Sequence, residues 1–274
     1  MVQFLYSNPI WLVGLVVVAA WVVPSLIGLL VWNRFSSAEK REKDTETVGL
    51  TFAIVAVVYA VLIAFIVVDV YETFSRADEV ATAEANQLSN LMFDASGLPA
   101  PLAKSIRADL DKYIDIVVKT EWPNQQNGKL DEAGFEAGWD VVADISTTLA
   151  QFQSPSLGAN VNKTEMLRAV NQLIRARRTR IIAAGEHLPD IVWQILIVSG
   201  IASIFYTYLF GAHSLRLHLA IVGLISATIA LAFVLIIALD YPFRGEVSVG
   251  DDAFVSMKTA AAGAFAPAPA SAPK

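Results

Sequence analysis

Four stretches of this chain contain no Asp, Glu, Lys or Arg: Ile10–Trp32, Thr47–Val68, Ile191–Ala212 and Leu217–Leu239, each 22 or 23 residues long, the last with one histidine near its start. As helices they would reach about 33 Å, enough to cross a hydrocarbon core about 30 Å thick. In that core every backbone amide must be satisfied within a helix or a closed barrel. Barrel strands alternate apolar and polar residues over about 10 positions, a pattern these stretches lack. The expected fold class is therefore all-α, a polytopic membrane protein with four transmembrane helices.

The charges missing from the spans gather between the second and third. Of the 46 acidic and basic residues, 30 lie from Asp69 to Asp190, as 18 acids and 12 bases. This segment is expected to form a helical bundle domain inserted between spans 2 and 3. The predicted organisation is a first hairpin over 1–68, a helical extramembrane domain over 69–190, a second hairpin over 191–245 and a largely disordered tail over 246–274. Charged residues make up only 17% of the chain, against about 25% in an ordinary soluble domain. The net charge of −6 disfavours nucleic acid as a partner, since duplex binding needs a basic face. With no cysteine, the chain can form no disulfide, thiolate metal site or cysteine nucleophile.

The first stretch is read as a retained anchor. It is longer than the apolar core of a signal peptide, and no base precedes it. Pro24 is expected to kink it. Trp11, Trp32, Trp193 and Tyr241 lie near span ends, where aromatic rings favour the interface. Bases near the spans number five on one side and six on the other, so charge bias does not decide the orientation.

Between the spans, Gly and Pro punctuate four helical patterns. The second span is expected to continue unbroken to about Asp94. A second helix carries Leu102, Ile106, Leu110, Tyr113, Ile114 and Val117 on one face and closes at Glu121-Trp122-Pro123. A third carries Phe135, Trp139, Val142, Leu149 and Phe152. A fourth is expected to start at Asn162 as N-cap, with Leu167, Val170, Ile174 and Ile181 along it. Ala260–Lys274, nearly all Ala and Pro, cannot bury a core and is expected to be disordered.

Catalytic and metal motifs are missing. No GxxxxGK, GxSxG or HExxH pattern occurs, and His187, His213 and His218 form no i,i+4 ligand pair. His213 and His218 are expected to be solvated at an interface. Glu136, Asp140 and Asp144 form an acidic stripe able in principle to meet a hard cation, though with no EF-hand loop a solvated helix face explains it better. No enzyme activity and no cofactor are expected. The basic cluster Arg175, Arg177, Arg178 and Arg180 fits either anionic lipid headgroups or the acid-rich first part of the domain. The span-end charges Asp69, Asp240 and Arg244 lie outside the uncharged stretches and not at mid-membrane, which disfavours proton pumps and voltage sensors. A pore with an apolar constriction stays possible. On the second span Phe52, Tyr59, Ile63 and Ile66 share a face and are its pore-lining candidates. Gly223 with Ala227 and Ser226 with Ala230 would let the fourth span pack closely.

In order along the chain come two spans, Ala81-Thr82-Ala83-Glu84-Ala85-Asn86-Gln87-Leu88, Leu98-Pro99, Ile106-Arg107, Tyr113 and Glu121-Trp122-Pro123. Two closing spans then lead into Leu239-Asp240-Tyr241-Pro242-Phe243-Arg244-Gly245. This order and spacing, from about Ile10 to Phe254, resemble the bacterial bestrophin-like membrane family, whose function is uncharacterised. The resemblance implies similarity to bestrophins: oligomeric anion channels with four spans, a large cytosolic helical region and a pore lined by the second span. The expected function is thus a homo-oligomeric inner-membrane channel for small anions, surrounded by membrane lipids, with a cytoplasmic middle domain. The alternative is a membrane-anchored scaffold or sensor whose helical domain binds a protein partner through a face containing Trp122 and Trp139.

Overall fold

The computed structural model describes residues 2–36, 41, 45–130, 135–154, 156–211 and 214–264; His213 and the last ten residues of the Ala-Pro tail lie outside them. Among the described residues all regular structure is helical. The helices are α1 (Val2–Ser7), α2 (Ile10–Phe35), α3 (Thr45–Asp94), α4 (Ala100–Ile116), α5 (Trp122–Gln126), α6 (Glu136–Gln151), α7 (Leu157–Ala183), α8 (Asp190–Tyr208), α9 (Leu215–Asp240) and α10 (Asp252–Ala264). Four of them, α2, α3, α8 and α9, are long and apolar enough to cross a membrane. The chain divides into two compact units, one of residues 1–74, 186–241 and 245–247, the other of 75–185, 242–244 and 248–274.

The membrane unit is built on α2 and α9, which pack along one another. Trp21 meets Phe233 at 4.8 Å between ring centres, and the Tyr6 hydroxyl donates to the Ile237 carbonyl at 2.8 Å. Ser226 and Ala230, two of the small residues picked out on the fourth span, are fully buried. Helix α2 runs through Pro24 without a break. Beside it, the Ser25 hydroxyl donates to the Trp21 carbonyl, and the Ser25 carbonyl accepts from Tyr208 at 2.7 Å. Gly200 on α8 lets two side chains close in: a Cβ there would stand 2.7 Å from both the Trp21 ring and the Tyr59 hydroxyl. His218, expected to be solvated, is instead buried, its Nε2 2.8 Å from the Thr207 carbonyl. Arg41 is also buried, bonding the Phe210 and Ser36 carbonyls and Asn33.

In the other unit, apolar faces of α3, α4, α6 and α7 meet around Leu88, Leu91, Ile106, Leu110, Ile145 and Leu173, all fully buried. Two boundaries differ from the sequence reading. Helix α7 starts at Leu157, capped by Ser156, whose hydroxyl accepts from the Ala159 amide. Asn162 is therefore inside the helix, and its amide reaches across to the Gly97 carbonyl at 2.8 Å. The tail expected to be largely disordered forms α10, because Phe254, Met257 and Ala261 give it an apolar face that is buried. Trp122 anchors that end, meeting Phe243 and Phe254 edge-on at 5.5 and 5.4 Å and donating to the Val249 carbonyl.

Candidate functional site

Two arginines in phase with the apolar stripe of α7 build the most chemically unusual site in the chain. Met166, Val170 and Leu173 are buried, and Arg177 and Arg180 continue that face with no exposed surface. Helix α3 contributes Glu84, fully buried between Ala81 and Leu88. The third partner arrives through a change of helical pitch. After α4 the backbone makes a π-helical segment, Val117–Glu121, before α5 resumes the α pitch. Both Glu121 and Trp122 are buried there. Single π-turns inside helices recur at functional sites.

The arginines bind the carboxylates in a chain. Arg177 donates to Glu121 through Nη2 at 2.7 Å and Nη1 at 3.0 Å, and Nη1 also reaches the Tyr113 hydroxyl at 3.0 Å. Its Nη2 also donates to the Phe135 carbonyl at 2.8 Å. Arg180 donates to Glu84 at 2.7 and 3.2 Å and to Glu121 at 2.8 Å. Tyr113 closes the circuit by donating to Glu84 at 2.5 Å. Aromatic faces cover both guanidinium groups, Trp139 at 4.8 Å from Arg177 and Trp122 at 5.4 Å from Arg180. Gly138 leaves room for the cluster: a Cβ there would stand 2.4 Å from Arg177 Nη2 and 2.5 Å from Glu121 Oε1.

Two positive and two negative charges make the cluster neutral, and each carboxylate is shared, the pattern that makes buried charge tolerable. Burial alone would lower Arg180, but Glu84, Tyr113 and Glu121 together more than offset it and hold the pKa above the ordinary arginine value. Burial, then the adjacent Glu84, pushes the Tyr113 phenol well above its usual range. These fully buried groups clamp α3, α4, α7 and the π-helical segment to one another.

The other sequence candidates separate. Arg175 and Arg178 are exposed, whereas Arg177 and Arg180 take the acid-pairing role and meet no lipid. Asp69 is exposed and Asp240 buried, its carboxylate accepting from the Leu188 amide at 2.6 Å. Arg244 lies beside Gly128, which has φ +71°. The acidic stripe Glu136, Asp140 and Asp144 is exposed on α6, and among the described residues no three potential ligands converge on a metal position. Trp122 is buried and Trp139 is covered by Arg177, so the docking face expected to contain them is not formed by Trp122.

On the second span the predicted pore face points inward. Tyr59 and Ile66 are buried in the membrane unit's own core, with the Tyr59 hydroxyl donating to the Leu196 carbonyl at 3.2 Å. Ile63 packs on the same core, and Phe52 meets Phe210 edge-on at 5.6 Å. The opposite face is a ridge of exposed apolar residues, with Val57 63%, Val61 49% and Phe65 70% exposed, bearing no ionisable group from Thr47 to Val68.

Comparison with known proteins matches these features at two levels. The fold resembles a bacterial bestrophin homologue from Klebsiella pneumoniae, solved as a single-substitution variant, with TM-score 0.64 and 12% identity over 90% of this chain and 99% of that one. A second solved structure, described only as a membrane protein, gives TM-score 0.63 and 13% identity over 90% and 98%. No curated protein matches the chain by sequence. The sequence profile of the Bestrophin-like domain matches residues 19–254, which takes in most of the first span, the other three spans and the buried clamp, and the chain belongs to the bestrophin-like family.

Proposed function

We propose that the protein is a homo-oligomeric membrane channel for small anions, with its pore lined by the outward face of the second span at Val57, Val61 and Phe65. The observation that carries this reading is that face itself: an apolar ridge at i, i+4, i+8 spacing, exposed in the single chain and free of charge through the membrane. Such a ridge costs free energy in contact with water but makes a dewetting constriction when copies surround it. Family membership supports the channel class, and anion preference follows from the bestrophin resemblance. The same reading puts the spans in a bacterial inner membrane with the helical domain on its cytoplasmic side, a topology that the bestrophin resemblance supports.

Purified protein in planar bilayers should conduct, with a chloride-dependent reversal potential. Phe65→Ala should widen the constriction and raise unitary conductance, whereas Ile66→Ala, in the core, should lower stability and leave conductance unchanged. Silent bilayers containing an intact oligomer would sink the channel reading, and the scaffold reading would then gain ground.

A further inference from the structure

The membrane unit contains a cavity of about 940 Å³ between α2, α8 and α9. Its volume lies at the upper end of the range, about 300–1,000 Å³, of pockets that enclose a small molecule. The walls are Ala20 and Trp21 from α2, Ile197 and Ile201 from α8, and Phe233 and Ile237 from α9. All six fall within charge-free stretches, so this part of the cavity lies at hydrocarbon depth. An extended peptide there would leave backbone amides unsatisfied, whereas methylene chains lose nothing.

One end differs. Tyr6, His187 and Tyr241 gather there, with His187 stacked on Tyr241 at 5.1 Å and Tyr6 edge-on to Tyr241 at 5.0 Å. Asp190 and Asp240 belong to the same end, and Asp240 bonds the Leu188 amide next to His187. No Lys or Arg is among the residues lining the cavity. An apolar body with an acidic, aromatic collar at its mouth is complementary to an amphiphile whose head carries an ammonium group.

We propose that this cavity is a binding site for one phospholipid with an amine headgroup, its acyl chains beside Ala20 and Ile201 and its ammonium at Asp190. The site is independent of whether the protein conducts.

The test places the photo-crosslinker p-benzoylphenylalanine at Ile201, inside the cavity, or at Leu224, exposed on α9 and outside it. The full chain is reconstituted in vesicles of equal phosphatidylethanolamine and phosphatidylglycerol, irradiated and weighed intact. The Ile201 position should give phosphatidylethanolamine adducts several-fold over phosphatidylglycerol, while Leu224 reports the bulk mixture without preference. Ala20→Phe should reduce the Ile201 adduct, and Asp190→Asn should abolish its headgroup preference. Equal adducts at both positions, a phosphatidylglycerol preference at Ile201, or a chain-to-chain crosslink there would each overturn the assignment, the last by showing a second copy in the cavity.

Discussion

Arg177 and Arg180 are three residues apart on the buried face of α7, while Arg175 and Arg178 on the same helix are exposed. That difference in phase sets very different costs for removing them. Deleting one partner of a buried ion pair strands the others without solvent and typically costs about 3–5 kcal/mol. Arg180→Ala, which takes a partner from both Glu84 and Glu121, should fall in that range, whereas Arg175→Ala should change stability by no more than about 0.5 kcal/mol. Thermal unfolding in detergent, followed by circular dichroism, separates the two; equal effects would refute the clamp. Tyr113 makes a second test through pH. Its folded phenol stays protonated above the usual range, while in the unfolded chain it ionises near pH 10, or about that. Above that pH the unfolded state loses a proton that the folded state keeps, so stability falls as pH rises. Tyr113→Phe should lower stability at neutral pH but flatten this alkaline decline, measured as melting temperature between pH 9 and 11, or about that range.

At the level of elements, α10 is the piece whose attachment is most open to manipulation. One face is fixed by Phe254 against Trp122, and its polar side is fixed by Lys258 to Asp115, which also pairs with Lys119 at 2.9 Å. The hydrogen bonds from Lys258 and then Lys119 hold the Asp115 carboxyl below its usual range. Its contribution is therefore present above the ordinary carboxylate range and is lost as pH falls through the depressed value. Asp115→Asn should make α10 more susceptible to limited proteolysis at neutral pH, with cleavage after Lys258 as the readout. An unchanged digestion pattern would mean that the apolar face alone holds the helix. The second span shows the complementary case: both of its faces are apolar, and periodicity alone cannot say which one a neighbouring helix of the same chain covers.

For the whole molecule, the spans were legible because an uncharged run of 22 residues has few soluble uses, and each run falls largely within one of the four long apolar helices. The clamp was not legible because Glu84, Glu121 and Arg180 are far apart in sequence and each resembles a solvated charge when read alone. A signal was nevertheless present. Glu84 follows Ala77 and Ala81, and Arg177 follows Val170 and Leu173, so each charge occupies the apolar phase of its helix. Charge in that phase must be paired or the helix cannot bury its face. The membrane orientation is a property of the whole chain and is tested as such. Alkaline phosphatase fused after Asn127, in an exposed turn, should be inactive if the helical domain is cytoplasmic; activity there would reverse the topology.

The π-helical segment Val117–Glu121 gives the chain an unusual sensitivity to length. Substitutions within it change one side chain, but removing a single residue would restore the regular α pitch. Everything after it would then turn by about 100° relative to α4, the angle between successive residues of a helix. Glu121 would swing away from the two guanidinium groups and Trp122 away from its aromatic partners, with every amino acid of both motifs still in place. In descendants of this chain the region should therefore tolerate exchange of residues far better than loss of one, since what it stores is a count rather than a composition.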